Sequence, residues 1–207
     1  MSIMDYNGSA MVAMKGKNCV AIAADTRLSQ QLCTISQNMQ KVFKVNDRCL
    51  FGLAGLATDV ATYSKELKMK TNMYKLTENR DIKASTFTDL VATSLYEKRF
   101  GPYFVVPVVA GLDDKGDGEY EPVIASYDYI GCKEQSYFAC AGTSQSFLYG
   151  VCESFYKEDM NPDELFEAVS QSLLAAMDRD SLAGWGATVY VLTPTEIIVK
   201  NIKTRQD

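Results

Sequence analysis

The fold of this chain is decided by residues 9–27, which read SAMVAMKGKNCVAIAADTR. Two short apolar runs flank the turn residues Gly16, Lys17 and Asn18, a pattern that predicts a β-hairpin. The second run, residues 20–24, is apolar at every position, which is typical of a strand buried on both faces. Other parts of the chain must therefore cover both sides of this strand. The run leads directly into an acid, Asp25, and a base, Arg27.

Length and charge limit the kind of protein that the sequence encodes. A chain of 207 residues fits one domain that buries roughly 70% of its unfolded surface, so it needs no disulfides or metal to fold. The net charge of −5, without a basic block, argues against a nucleic-acid surface. No apolar run approaches the roughly 20 residues of a membrane helix, and the first five residues lack the features of a signal peptide. We therefore expect an intracellular protein without membrane or nucleic-acid partners.

The content of histidine and cysteine restricts the possible chemistry. The chain has no histidine, which excludes Ser-His-Asp and Cys-His catalysis and histidine-ligated metal centres. Among nucleophilic hydrolase mechanisms, a Ser/Lys pair or an N-terminal nucleophile remains. Six cysteines lack the Cys-x-x-Cys spacing, which predicts reduced core cysteines rather than a disulfide framework or a zinc site. No cofactor and no metal are expected. The cysteines are Cys19, Cys33, Cys49, Cys132, Cys140 and Cys152.

Hydrophobic periodicity predicts alternating groups of strands and helices after the hairpin. Strands are predicted at residues 33–35, 42–45, 49–55, 104–112, 123–127, 137–140, 187–192 and 196–202. The first predicted helix runs from an N-cap at Thr58 or Asp59 to Asn79, and the second runs from Ser85 or Thr86 to Gly101. Two further helices are predicted at 143–156 and at 162–180, the latter with Asn161 as N-cap. A polar loop is expected at 113–118. The hairpin connections favour an α+β protein with antiparallel sheets.

The hairpin and the residues that follow it resemble the start of proteasome beta subunits, whose active members carry a threonine nucleophile on the first strand. Aligned without gaps, the family pattern places Ser9 at the nucleophile, Asp25 at the aspartate and Lys41 at the lysine, with the same two spacings as in the family. Gly55 falls at the glycine of the oxyanion hole. Further matching segments are GLAGLATD at 52–59, LYEKRFGPY at 95–103, DYIGC at 128–132, and DRD at 178–180 followed by GWG at 184–186.

The resemblance implies a four-layer αββα sandwich, in which two antiparallel sheets are flanked by helix pairs, the N-terminal nucleophile hydrolase fold. It also implies that residues 1–8 form an unprocessed N-terminal extension and that residues 9–207 form a single beta-type domain. The expected partners are other alpha and beta subunits in stacked seven-membered rings that enclose a proteolytic chamber. The expected role is structural, in ubiquitin-dependent protein degradation in the cytoplasm and nucleus.

Several positions of the catalytic group depart from the active members of the family. An N-terminal nucleophile uses its own free α-amine, with a pKa of about 8, as the base, and this amine exists only after cleavage before the nucleophile. Members that lack the threonine keep an uncleaved extension, so we expect Ser9 to be inactive. Active members carry a serine at the position of Thr143, and another serine three residues after Asp180, where this chain has Ala183. We interpret Ser9, Asp25, Lys41, Thr143, Asp180 and Ala183 as vestigial.

Two further interpretations concern pairs of residues. Asp25 and Lys41 are predicted to form a structural ion pair, because removing one partner would leave a buried charge. Asp128 and Cys132 are candidates for lining the substrate pocket of a neighbouring subunit, although Asp128 can equally be an ordinary turn residue. The alternatives to an inactive subunit are an autoprocessed hydrolase with Ser9 as its N-terminal nucleophile, and a peptidase subunit of homomeric rings.

Overall fold

Two five-stranded antiparallel sheets form the centre of the structure, a computed structural model that describes residues 2–206. Met1 of the predicted extension and Asp207 of the predicted domain lie outside the described residues. The first sheet has the order β10-β1-β2-β11-β12 and the second has the order β5-β6-β7-β8-β9. The strands of the first sheet are β1 (Ala10–Gly16), β2 (Cys19–Asp25), β10 (Phe138–Gly142), β11 (Ala187–Leu192) and β12 (Ile197–Ile202). Those of the second are β5 (Val42–Asn46), β6 (Cys49–Gly55), β7 (Val105–Gly116), β8 (Glu119–Tyr127) and β9 (Lys133–Gln135).

Helix pairs cover the outer faces of the two sheets. Helices α1 (Ala57–Glu78) and α2 (Ala84–Tyr96) share a buried apolar cluster with the second sheet. Helices α3 (Gln145–Phe155) and α4 (Pro162–Met177) do the same with the first sheet. A third cluster lies between the sheets and joins Met11 and Ile22 to Leu50, Val108 and Ile124. The predicted α+β class and the four-layer αββα sandwich are therefore confirmed.

The predicted hairpin is confirmed as β1 and β2, with Val12 opposite Ala23 and Lys15 opposite Val20. Every residue of β2 is buried. Because side chains alternate along a strand, Ala21 and Ala23 pack towards α3 and α4, while Ile22 packs towards the second sheet. The uninterrupted apolar run is thus explained by a central strand that contacts a different layer on each face.

Some predicted boundaries were wrong for local reasons. Helix α1 begins at Ala57 after Leu56, and Asp59 accepts a hydrogen bond from the backbone N of Phe104 (2.8 Å) instead of capping the helix. The predicted loop at 113–118 is mostly strand, because β7 continues to Gly116 and the turn consists of Asp117 and Gly118, both at positive φ. Helix α2 ends at Tyr96 and α4 at Met177, earlier than predicted. The predicted N-cap Asn161 is confirmed, with a capping box to Glu164.

Three short elements were not predicted, because they are too short for periodicity to reveal. They are a 3₁₀ helix (Ile3–Asp5), the edge strand β9, and the strand β3 (Leu28–Gln30), which pairs with β4 (Cys33–Ser36).

The cysteine prediction was partly wrong. All six thiols are free, as predicted. Four are buried, but Cys33 and Cys132 are exposed, because one lies in the small β3–β4 hairpin and the other in a turn. None of the helices within residues 2–206 is long and apolar enough to cross a membrane.

The contact between the two sheets predicts a specific effect of adding one methyl group. A Cβ at Gly52 of β6 would lie 2.3 Å from Met11 Sδ of β1, so Gly52→Ala overpacks the intersheet core. We expect Gly52→Ala to lower the free energy of unfolding by about 1–3 kcal/mol, and Met11→Ala to lower it by about 2–5 kcal/mol through a cavity. Urea unfolding of the purified chain measures both.

The double variant tests whether these two effects share one cause. If the new methyl group occupies space vacated by Met11, the double variant should be clearly more stable than the sum of the single losses implies. Additive losses would contradict the intersheet packing described here.

Candidate functional site

Asp25 and Lys41 form a buried ion pair at the end of β2. Lys41 Nζ lies 2.6 Å from Asp25 Oδ1, and the two side chains are 2% and 0% exposed. Asp25 Oδ1 also accepts a hydrogen bond from the backbone N of Ala10 (2.9 Å), and Oδ2 accepts one from Gly184 N (3.1 Å). A single carboxylate therefore joins the start of β1, the segment before β5 and the turn before β11. This geometry agrees with the predicted structural ion pair.

The surroundings of Lys41 favour its use as a donor. Burial lowers the pKa of Lys41, and the carboxylate of Asp25 opposes this effect. Besides Asp25, its ammonium group donates a hydrogen bond to the carbonyl O of Gly8 (3.3 Å). Both oxygens are acceptors, so both contacts require N–H groups on Lys41. In this arrangement Lys41 positions Asp25 and the Gly8–Ser9 peptide through its N–H groups, and as an ammonium ion it has no lone pair with which to act as a base.

Ser9 is buried and is held through its backbone. Its peptide N donates a hydrogen bond to Thr143 Oγ1 (3.1 Å), and its carbonyl O accepts one from Ser144 N (3.3 Å). Gly142 lies so close to this backbone that a Cβ there would be 2.2 Å from Ser9 O. The nitrogen of Ser9 carries the acyl group of Gly8, so it is an amide donor and cannot accept a proton near neutral pH.

Asp180 organises the turn that contacts Ser9. Its Oδ2 accepts hydrogen bonds from Thr143 Oγ1 (2.6 Å) and from Ser144 Oγ (2.5 Å), while Oδ1 accepts one from Leu182 N (2.9 Å). Thr143 Oγ1 also lies 3.1 Å from Ser9 O, but its shorter contact with Asp180 favours the carboxylate as the acceptor of its single hydroxyl proton, which leaves the hydroxyl oxygen as the acceptor for Ser9 N. Asp180 therefore acts on Ser9 through Thr143.

Ala183 lies in the same region with only a methyl group. It is 6% exposed and belongs to the apolar cluster of the first sheet. The resemblance implies that active members have a hydroxyl here to support an α-amine, but a methyl group neither donates nor accepts, so the side chain of residue 183 makes no hydrogen bond to the Ser9 nitrogen. The structure thus places together the backbone of Ser9 and the side chains of Asp25, Lys41, Thr143 and Asp180.

Gly55 ends strand β6, with φ at +117°. A Cβ there would lie 2.3 Å from the carbonyl O of Phe104, so the position requires glycine for backbone reasons alone. Its assignment to an oxyanion hole stays a prediction.

Asp128 and Cys132 lie in a separate turn after β8. Asp128 Oδ1 accepts hydrogen bonds from the backbone N of Ile130 (3.0 Å) and of Cys132 (2.8 Å), and its contacts are with this turn rather than with the Ser9 group. The exposed Cys132 borders a shallow apolar groove between the turn and α2, which Ala92 and Tyr96 also line. The role of these two residues in a neighbouring pocket stays a prediction.

Two residues of the site were missed by sequence reasoning. Ser144 lies within the helix predicted at 143–156 and was given no role, yet it precedes α3 and its hydroxyl donates to Asp180. Arg27 is 4% exposed and donates to the carbonyl O atoms of Leu32 (3.1 Å) and Ser181 (2.5 Å) and to Thr34 Oγ1 (2.9 Å). The acid and base that follow the apolar run signal such buried polar contacts, but the sequence does not identify the partners.

Within residues 2–206, no group of three or more cysteine, aspartate and glutamate side chains is arranged to hold a metal ion.

The ion pair predicts a large difference between two lysine substitutions. Lys41→Met should lower the free energy of unfolding by about 3–5 kcal/mol, because Asp25 is left buried without its cation. Lys44→Met, which removes the exposed pair with Asp47, is the matched control and should change the unfolding midpoint little. Urea unfolding at pH 7 measures both variants. Equal effects of the two substitutions would contradict a stabilising role of the buried pair.

Comparison with known proteins agrees with the fold. Residues 5–192 match the family model described as proteasome subunit. The chain is 52% identical to proteasome subunit beta type-3 of Picea mariana and to proteasome subunit beta type-3-A of Arabidopsis thaliana, in each case over the full length of both proteins. It is 48% identical to proteasome subunit beta type-3 of Saccharomyces cerevisiae over 97% of each chain. The resemblance inferred from the sequence is therefore confirmed, and the chain belongs to the proteasome subunit family.

Proposed function

We propose that this protein is a non-catalytic beta subunit of the 20S proteasome core particle, in the ring position of the beta type-3 relatives. The observation that carries the proposal is the environment of the Ser9 nitrogen, where residue 183 supplies a methyl group and no hydroxyl to support a free α-amine. An N-terminal nucleophile needs that nitrogen as a free amine. In this role the subunit forms part of the wall of a proteolytic chamber, and other subunits supply the nucleophile.

The environment of the Gly8–Ser9 bond supports an inactive subunit. Activation of Ser9 would require a base within hydrogen-bonding reach, and such a base must have a free lone pair. Thr143 directs its proton to Asp180, Lys41 donates to Asp25 and Gly8, and residue 183 carries no hydroxyl. These groups hold the peptide in place without withdrawing a proton from it.

The surface supports an architectural role. Helix α1 exposes Met69, Met73 and Leu76, which lie on one side of the helix at a spacing of four and three residues. Phe100, beyond the end of α2, is fully exposed. Exposed apolar groups of this kind mark surfaces that other subunits cover. In a ring of different subunits, a distinct surface at each position fixes the order of neighbours.

The proposal includes a cellular setting. Subunits of stacked seven-membered alpha and beta rings are the partners, and the process is ubiquitin-dependent protein degradation in the cytoplasm and nucleus. The support for this setting is the membership of the chain in the proteasome subunit family.

Ser9→Ala tests the proposal within the assembled particle. We expect the variant particle to retain the peptidase activities of the wild type, because Ser9 takes no part in bond cleavage. We also expect intact-mass spectrometry to show that the wild-type subunit retains residues 2–8. Loss of one peptidase activity in the Ser9→Ala particle, together with a wild-type mass that begins at Ser9, would support the autoprocessed serine hydrolase instead.

The second alternative, a peptidase of homomeric rings, is tested by purifying the chain alone. A subunit that fits only one ring position should not form an active ring by itself. A heptamer of this chain that native mass spectrometry detects and that cleaves peptides would favour the alternative.

Asp128 offers a separate prediction about a neighbouring pocket. Asp128→Asn keeps an oxygen that can accept hydrogen bonds from the backbone N of Ile130 and Cys132, so the turn should survive while the charge is lost. If the carboxylate faces a neighbour's substrate, cleavage after basic residues should fall relative to cleavage after neutral ones. Fluorogenic peptides of the two kinds measure this ratio. An unchanged ratio in the variant particle would reject the pocket role and leave Asp128 as a turn residue.

A further inference from the structure

Two buried cysteines from different elements touch within the layer next to the Ser9 site. The Sγ atoms of Cys140 in β10 and Cys152 in α3 are 3.7 Å apart. Both residues are at most 1% exposed. A disulfide requires an S–S distance of about 2.05 Å, so the two sulfurs must approach each other by about 1.7 Å in total.

The other buried thiols have different neighbours. Cys19 Sγ contacts the carbonyl O of Met160 (3.6 Å), and Cys49 Sγ contacts the carbonyl O of Leu50 (4.0 Å). These two cysteines share the burial of the pair, but their sulfur contacts are with carbonyl oxygens, so they serve as internal references.

We propose that Cys140 and Cys152 form an oxidation site, at which a small peroxide such as H₂O₂ converts the two thiols to an intrachain disulfide between β10 and α3. The sulfur of Cys152 attacks a peroxide oxygen, the O–O bond breaks, and Cys152 becomes a sulfenic acid while water leaves. The sulfur of Cys140 then attacks the Cys152 sulfur, and the sulfenic oxygen leaves as a second water. Two thiols and one H₂O₂ thus give one disulfide and two waters.

The contact between the thiols favours Cys152 as the sulfur that reacts first. The hydrogen bond from Cys140 and the Ser172 hydroxyl lower the pKa of Cys152, while burial raises it. Either sulfur can be the donor in this contact, so the roles of the two cysteines can be exchanged with the same disulfide and the same two waters as products.

Access to the pair is provided by local opening of α3. This helix has 11 residues, and only Leu148 and Cys152 are buried among them. Its N-cap Ser144, the residue before the helix, makes no side-chain hydrogen bond to it, and Gly150 lies in its interior. A short helix with few buried contacts opens more readily than the sheets beneath it.

The disulfide would close a loop around the turn that holds Ser9. Thr143 and Ser144, which contact the backbone of Ser9 and the carboxylate of Asp180, lie between the two cysteines in the sequence. Joining the ends of this segment restricts its opening in the folded chain and its freedom in the unfolded chain. Oxidation should therefore stabilise this corner of the molecule rather than damage it.

The test is mild peroxide treatment of the full-length folded chain. The chain is then unfolded in the presence of an alkylating reagent, which blocks the remaining thiols, and digested with chymotrypsin. Cleavage at Phe147, Leu148 or Tyr149 separates the two cysteines, so the disulfide appears as a crosslinked peptide pair that is lighter by two hydrogens. We expect this crosslink, together with a higher thermal unfolding midpoint that dithiothreitol reverses. Cys19 and Cys49 should remain alkylated.

Cys132 and a serine variant supply the controls. The exposed Cys132 reports that the peroxide dose was sufficient. Cys140→Ser should abolish both the crosslink and the rise of the midpoint. Alkylation of both Cys140 and Cys152 after a dose that fully oxidises Cys132 would overturn the proposal. So would oxidation of Cys152 alone to a sulfinic acid in the wild type.

Discussion

The buried carboxylate of Asp25 is the constraint on which the arrangement around Ser9 depends. A carboxylate taken out of water must be paired and hydrogen-bonded, and Asp25 meets this requirement with Lys41 and with the backbone N of Ala10 and Gly184. These partners come from three distant parts of the chain. The carboxylate thereby fixes three segments relative to one another: the segment before β5, the start of β1 and the turn before β11. Ser9 lies between them.

This constraint gives residues typical of a catalytic group a stabilising role that they would keep in the proposed non-catalytic subunit. Asp25 and Lys41 satisfy each other, and Asp180 is occupied by Thr143, Ser144 and Leu182. Each charged group thus has a stabilising role that does not require a reaction. The acylated nitrogen of Ser9 fits the same pattern, because it donates to Thr143 as an ordinary peptide group.

Much of the architecture could be predicted from the sequence because it follows from apolar patterns. The unbroken run in β2 required two covering layers, and the capping box at Asn161 marked the start of α4. Contacts between distant residues were less accessible. The strand character of residues 113–116 depends on pairing with β8, and the hydrogen bond that draws Asp59 away from the end of α1 comes from Phe104, 45 positions later. Ser144 was missed for the same reason, since Asp180 lies 36 positions later, and Arg27 makes one of its three contacts across such a gap, with Ser181. The roles of Gly55, Asp128 and Cys132 depend on groups outside this chain or on a reaction, and they stay predictions.

The central claim is that the nitrogen of Ser9 remains in a peptide bond, so that this subunit has no nucleophile. Treatment of the native particle with an electrophilic inhibitor that labels N-terminal nucleophiles, followed by peptide mapping, tests it most directly. The account predicts adducts on other subunits and an unmodified peptide that runs through Gly8 and Ser9. An adduct on a Ser9 that begins its chain would contradict it.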